Sequence, residues 1–156
     1  KKARKKMPNW CAGDLRVRGT KENLIKFLLD GLNPIKNICN ELEPLKINEN
    51  GEICGDTCHI KGTHRGFVKG LDVYVDDLEN EGKSTIVLSV EFAWSIKPQD
   101  LLNVCREYGV DMKIHAFERG MQFNQIIEII DGEITKEAEI RFKDYEWDCI
   151  CPNVGG

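Results

Sequence analysis

A group of thiol and imidazole side chains near the middle of the chain could bind a metal ion. Its members are Cys54, Cys58, His59 and His64. Thiolate and imidazole are the usual ligands of tetrahedral zinc, and Cys149 and Cys151 could complete such a site. However, the spacing between Cys54 and Cys58 is not that of a zinc finger, and Cys58 and His59 would point to opposite sides of an extended strand. We therefore predict mostly buried structural cysteines and no metal or other cofactor.

The same segment could supply a thiol nucleophile, with His64 or His115 acting as a base for Cys58. Such a nucleophile needs a thiol of depressed pKa beside a positioned base, and no nucleophile motif surrounds Cys58. The glycines Gly62 and Gly66 follow no phosphate-binding pattern. The sequence therefore favours a protein that is not an enzyme. A zinc-dependent or thiol enzyme that uses the Cys54–His64 cluster stays as an alternative.

A second set of side chains is predicted to share one face of a β-sheet. They occupy strand positions opposite the expected core residues, and Glu91 lies among them. The predicted binding residues are Arg16, Arg18, Tyr74, Lys113, His115 and Phe117. Arginine beside aromatic rings could stack nucleobases, and the same residue types are enriched in protein interfaces. Acidic residues interrupt the set, which favours a protein partner; a solvated face, or one covered by an insertion, is the remaining possibility.

The elements that must position these side chains follow from the apolar spacing. Alternation from Trp10 to Arg18 predicts a strand, and helical spacing from Leu24 to Leu32 predicts a helix behind it. Residues 71–75 and 86–92 alternate and predict a β-hairpin. Pro98 is expected to open a second helix, and a strand follows over residues 110–116.

Two further regions complete the predicted fold. Residues 33–66 form an insertion with short strands near 45–47 and 58–60, and Asp131-Gly132 predicts an added C-terminal hairpin. The order of the elements is that of the split βαβ, ferredoxin-like sandwich. We therefore predict a single α+β domain over residues 7–156. Its antiparallel sheet is expected to carry two helices on one face. Its expected core residues are Leu24, Leu28, Leu88, Val90, Phe92, Leu101 and Ile114.

Charge is distributed unevenly along the chain. Of 22 basic and 26 acidic residues, five basic ones lie within residues 1–6, which we expect to form a flexible basic arm. The remaining 17 basic and 26 acidic residues give about −9, a charge that repels a phosphate backbone. No apolar run approaches the roughly 18 residues of a membrane helix. With no leader peptide recognised, we expect a cytoplasmic protein without membrane contact.

Two segments resemble a known family. Met7-Pro8-Asn9-Trp10-Cys11, followed by Leu15, Val17 and Gly19, is similar to the start of the YubB-type ferredoxin-like proteins of phages and plasmids, and Phe92-Ala93-Trp94-Ser95 with Pro98 is similar to their second signature. The chain departs at Gly13, where the family has asparagine. The resemblance implies the fold and an origin in mobile elements. It implies no activity, and "ferredoxin-like" there names a topology rather than an iron–sulfur protein.

Together these observations predict a non-enzymatic binding module of a phage or other mobile element. Its expected target is a host macromolecule, a protein rather than nucleic acid, and counter-defence is one such role. The alternative is a nucleic-acid-binding protein that uses the basic arm or the open sheet face.

Overall fold

The computed structural model describes residues 8–36 and 42–141. In chain order, the elements are β1 (Trp10–Gly19), α1 (Lys21–Asp30), β2 (Leu32–Lys36), β3 (Glu52–Ile60), β4 (Gly66–Tyr74), β5 (Ser84–Ala93), α2 (Pro98–Tyr108), β6 (Asp111–Glu118), β7 (Phe123–Ile130) and β8 (Glu133–Arg141). The predicted arm, residues 1–6, lies outside the described residues, as do Cys149 and Cys151. Neither described helix is long and apolar enough to cross a membrane.

All eight strands form one antiparallel sheet in the order β2-β3-β4-β5-β1-β6-β7-β8. Strand β1 lies between β5 and β6, so the first strand of the chain is central. Buried residues of both helices join one core with the inward side chains of the sheet. The predicted α+β class, with an antiparallel sheet and two helices packed on it, is confirmed.

The apolar periodicity selects residues that belong to the core. The seven predicted core residues are all buried: Leu24, Leu28, Leu88, Val90, Phe92, Leu101 and Ile114. Helix α1 begins where Oγ1 of Thr20 accepts a hydrogen bond from the backbone N–H of Asn23 at 3.2 Å. Helix α2 begins at Pro98 and ends at Gly109, whose φ of 64° is a conformation that glycine adopts without strain.

The insertion differs from its prediction. Residues 45–47 form no strand, and the short strand expected at 58–60 is the end of the nine-residue β3. Its inward residues Ile53 and Cys58 are five positions apart, so the alternation changes phase within the strand. The neighbouring strand β4 changes phase as well, beside Gly70 with its φ of 70°. Where the buried positions change phase within a strand, the sequence does not alternate between apolar and polar residues, so the alternation that predicts a strand is absent.

The predicted hairpin of residues 71–75 with 86–92 is right that β4 and β5 are antiparallel neighbours but wrong in the residues that it pairs. Leu71 and Val73 pair with Gly55 and Ile53 of β3, whereas β4 meets β5 only through residues 66–68. A short 3₁₀ turn, Val75–Asp77, begins the link between β4 and β5. The C-terminal hairpin is confirmed, because β7 and β8 are joined by Asp131 and Gly132 at φ values of 51° and 72°.

Candidate binding surface on the open sheet face

The outer face of the sheet, opposite the two helices, carries the predicted basic residues on its central strands. Arg16 and Arg18 of β1 lie opposite Lys113 and Asp111 of β6. The Arg18 guanidinium donates to Oδ2 of Asp111 at 2.8 Å through Nη2 and at 3.0 Å through Nε. The ammonium of Lys83 lies 3.8 Å from the same oxygen. Arg18 is therefore held in place by an ion pair with its cross-strand neighbour.

Asp111 organises this end of the outer face. Burial by itself raises the pKa of its carboxyl. The backbone N–H of Asp131 donates to Oδ1 at 3.0 Å, and Arg18 and Lys83 place positive charge beside Oδ2. These interactions outweigh burial and hold the pKa of Asp111 below its ordinary value. The carboxylate therefore stays charged. It ties β1, β6 and the β7–β8 turn together.

Lys113 and Arg16 differ in their partners. The Lys113 ammonium lies 3.5 Å from a carboxylate oxygen of Glu128 on β7. The pKa of Glu128 is lowered first by the hydrogen bond that it accepts from Thr135 and then by Lys113. Arg16 makes no ion pair or hydrogen bond with any residue in the described ranges. Its side chain is exposed beside Val87, which is 55% exposed.

The two predicted rings of β6 lie side by side. His115 and Phe117 stack with their centroids 4.5 Å apart and an interplanar angle of 25°. Nε2 of His115 donates to Oδ1 of Asn124 at 2.9 Å. His115 is exposed, but Phe117 is only 5% exposed, so the predicted ring of Phe117 is not free for a ligand to stack on.

Tyr74 is separated from the other predicted binding residues. It lies at the C-terminal end of β4, opposite Glu52 of β3, two strands away from β1. The ring is 44% exposed. The negative charges of Glu52 and then Asp72 raise the pKa of its hydroxyl. The structure therefore brings Arg16, Arg18, Lys113 and His115 together and leaves Tyr74 in an acidic area.

An aromatic cluster lies where β1 begins, at the other end of the outer face from Arg18. The Trp10 and Phe67 rings meet edge to face with centroids 5.9 Å apart, and His59 lies 5.7 Å from Phe67. The Arg65 guanidinium carbon sits 5.8 Å from the centre of the Trp10 ring, a cation–π contact. Three different strands and one loop supply these side chains.

Trp94 follows β5 at this same end and has an unusual backbone. Its φ is 69°, and its side chain is 45% exposed. The N–H of Trp94 donates to the carbonyl of Asn9 at 2.8 Å, and the N–H of Ala93 donates to the carbonyl of Arg65 at 3.1 Å. Positive φ is costly for a bulky residue and persists only where the surrounding structure imposes it. The fold therefore holds an exposed tryptophan in a strained position.

Buried hydrogen bonds fix the loop that contains Trp94. The side-chain amide of Gln125 on β7 accepts from the N–H of Ile96 at 2.8 Å and donates to the carbonyl of Ile96 at 3.0 Å. Ile96 is itself 2% exposed. Both backbone groups of Ile96 are satisfied by one side chain, so the residues just after Trp94 are pinned to the sheet.

The β6–β7 turn lies beside the same residues. Glu118 is fully buried and accepts hydrogen bonds from the N–H groups of Gly120 at 2.6 Å and Met121 at 2.7 Å. A Cβ at position 120 would lie 2.6 Å from Nδ2 of Asn9, so a larger residue there would have to displace the Asn9 side chain. Met121 projects next to it and is 60% exposed. We call Trp10, Arg65, Trp94 and Met121 the tryptophan end.

The sequence reading of binding residues missed the tryptophan end, although one signal pointed to it. The signal is that a tryptophan stands in each of two sequence segments that pair with each other here, with Trp10 opposite Ala93 and Cys11 opposite Phe92. Their pairing places two tryptophans, distant in the chain, at one end of the sheet.

The candidate metal ligands do not converge. Cys58 is fully buried on the helix side of β3, while the neighbouring His59 lies on the outer face, where its Nε2 donates to the carbonyl of Thr63 at 2.9 Å. Cys54 and His64 are exposed. No group of three or more metal-binding side chains occurs within residues 8–36 and 42–141.

The position of Cys58 also disfavours its use as a thiol nucleophile. Burial, and then the charge of Asp56, raises the pKa of Cys58 to about 11. His115 lies on the opposite face of the sheet and cannot serve Cys58 as a base. Cys11 and Cys105 are buried too, and burial first of all raises the pKa of each to about 12. These thiols stay protonated and fill space in the core.

No protein-family model matches the chain, and neither a curated protein nor a solved structure shows significant similarity to it.

Proposed function

We propose that the protein is a non-enzymatic binding module and that the tryptophan end contacts a protein partner. The observation that carries this proposal is Trp94, which is 45% exposed while its backbone is held at a φ of 69°. A sequence free of functional demands would place glycine or asparagine at such a position. Strain retained on an exposed aromatic residue suggests that its ring is needed.

The residue types at the tryptophan end support a protein partner. Tryptophan, methionine and arginine are enriched in protein interfaces, and tryptophan and arginine dominate their binding energy. Gln125 and Glu118 hold the two loops that present Trp94 and Met121. A surface that is rigid before binding loses less entropy when the complex forms.

We also infer that the sheet contains a ferredoxin-like core. Strands β6-β1-β5-β4 are adjacent in that order, and α1 and α2 fall in the chain where the split βαβ pattern has its helices. Strands β2 and β3 would then be the insertion, and β7 and β8 the C-terminal addition. With the YubB-type resemblance, this favours a mobile-element protein that acts on a host macromolecule, for which counter-defence is the role we propose.

A nucleic-acid ligand is the second candidate, and the Arg65–Trp10–Phe67 cluster favours it. Aromatic rings beside arginine can stack the bases of single-stranded RNA. Glu91 weakens this candidate, because it lies between Ala12 and Phe67 on the same face and opposes a phosphate.

The test compares two aromatic residues of nearly equal exposure, Trp94 at 45% and Tyr74 at 44%. Immobilised wild-type, Trp94→Ala and Tyr74→Ala proteins are incubated with bacterial lysate, with and without ribonuclease. We expect a stoichiometric protein that wild type and Tyr74→Ala retain and Trp94→Ala loses. Equal recovery by Trp94→Ala would overturn the proposal, and ribonuclease-sensitive recovery would favour the second candidate.

A further inference from the structure

A shallow depression on the outer face of the sheet lies next to Arg16. Its volume is about 210 Å³, and its lining includes three cations and two carboxylates: Arg16, Arg18, Lys113, Asp111 and Glu128. Pockets for drug-sized ligands are larger, about 300–1,000 Å³. The depression therefore has room for one small group rather than for a whole cofactor.

The charges around the depression leave one cation without a partner. Arg18 forms an ion pair with Asp111 at 2.8 Å, and Lys113 forms one with Glu128 at 3.5 Å. Arg16 faces Lys113 directly across the β1–β6 pair and makes no ion pair within the described part of the chain. Glu128 already offsets the charge of Lys113, so an anion bound beside Arg16 would pair the one lining cation that has no partner among the described residues.

We propose that this depression binds a carboxylate side chain from an acidic segment of the protein partner. The proposal rests on the proposed function, because it assumes that the partner also covers the tryptophan end. A guanidinium binds a carboxylate through two parallel hydrogen bonds, which suits Arg16 to this role. Val87, 55% exposed on the other side of Arg16, offers an apolar contact to the same segment.

One interface can span both places. Trp10 and Arg16 lie on the same face of β1, six residues apart, which is about 20 Å along a strand. An ordinary interface buries about 800 Å² on each partner, a patch about 30 Å across. A partner seated on the tryptophan end therefore reaches the depression.

Carboxylates on the path between the two places disfavour a nucleic-acid strand. Asp14 lies on the outer face between Trp10 and Arg16, and Glu91 lies opposite Ala12 beside it. A strand with a phosphate at each nucleotide would pass over both carboxylates. An acidic peptide segment can place an apolar or hydrogen-bonding residue there and its carboxylate at Arg16.

The experiment measures fluorescence anisotropy of labelled probes on the full chain. The probes are a short peptide of alternating acidic and large apolar residues, the same peptide with lysine replacing its acidic residues, and oligouridylate. The variants are Arg16→Glu and Trp94→Ala, with Lys69→Glu, an exposed cation of β4, as the matched control. Arg16→Glu places an acid opposite Lys113, a favourable cross-strand pair, so this variant should fold.

We expect the acidic peptide to bind wild type and Lys69→Glu equally and Arg16→Glu at least about tenfold more weakly, because the variant loses both hydrogen bonds of the guanidinium and one charge-assisted hydrogen bond alone accounts for about tenfold. Unchanged binding by Arg16→Glu, with a loss in Trp94→Ala, would overturn the carboxylate site and leave the tryptophan end standing. A loss in Arg16→Glu alone would support the depression and count against the tryptophan end. No binding of the acidic peptide, or tighter binding of the lysine peptide or oligouridylate, would overturn this proposal.

Discussion

Replacing Trp94 by glycine and by alanine separates the strain of its backbone from the contribution of its ring. Both variants lose the same indole, so the difference in stability between them depends on one Cβ atom. At the φ of 69° seen for Trp94, a Cβ meets the carbonyl oxygen that follows it. Left-handed backbone costs a residue with a Cβ about 1–2 kcal/mol, and glycine does not incur this cost.

A second effect acts in the opposite direction. Glycine gains more entropy than alanine in the unfolded chain, which destabilises the glycine variant by about 0.4–1 kcal/mol. At the middle of both ranges, the two effects leave Trp94→Gly more stable than Trp94→Ala by about 0.8 kcal/mol. Val87, exposed inside β5, is the control, because there the alanine variant should be the more stable by about 0.5–1 kcal/mol.

Urea denaturation followed by far-ultraviolet circular dichroism measures both pairs. A shifted midpoint with an unchanged slope reports stability alone. We expect the order of glycine and alanine to reverse between positions 94 and 87, and both Trp94 variants to lose the partner. Should Trp94→Ala be as stable as Trp94→Gly or more so, the fold would not impose strain at this position, and the reasoning that links strain to binding would be refuted.

Four other outcomes are expected. Phe92→Ala should lower the free energy of unfolding by about 3–5 kcal/mol, because Phe92 is only 4% exposed in the core. An unchanged denaturation midpoint would contradict the assignment of Phe92 to the inward face of β5. Asp111→Asn should cost about 1–3 kcal/mol at neutral pH. The pKa of Asp111 is lower in the folded protein than in the unfolded chain, so wild type loses its extra stability over Asp111→Asn as the pH falls through the folded pKa. The urea midpoints of wild type and Asp111→Asn should therefore converge below about pH 4. Elemental analysis should find no stoichiometric zinc; one zinc per chain, lost in Cys58→Ser, would restore the metal-enzyme alternative. Residues 1–6 should confer weak, sequence-indifferent DNA binding with a salt slope of about −0.9 per phosphate neutralised, and tight binding at physiological salt by protein lacking them would contradict the charge reasoning.

Much of the fold could be predicted because its signals are local. Strand β1, both helices, β6 and the β7–β8 hairpin follow from periods of two or 3.6 residues and from terminating residues such as Pro98, Gly109 and Asp131-Gly132. These signals depend on neighbours in the chain, so they survive without knowledge of the partner strands. The core residues follow from the same periods.

Pairing was harder to predict, because it depends on which strands meet. The alternation in β3 changes phase between Ile53 and Cys58, so β3 looked like a loop with a short strand. Strand β3 pairs along most of β4, including Leu71 and Val73, whereas β5 pairs along the other edge of β4 only at residues 66–68. A hairpin inferred from proximity in the chain could not anticipate this offset between β4 and β5.

The sequence by itself determined which face of each central strand is polar, and so it placed Arg16, Arg18, Lys113 and His115 together. Only the tertiary structure decided which of these groups are free: Arg18 and Lys113 are paired, and Arg16 has no partner among residues 8–36 and 42–141. It also buried Phe117, the aromatic ring predicted beside them. In addition, it decided that Trp10 and Trp94 lie at the same end of the sheet, since that depends on the antiparallel register of β1 and β5, in which Trp10 pairs with Ala93. Side-chain direction is set by local alternation, whereas exposure and ion pairing are set by residues that other strands bring alongside.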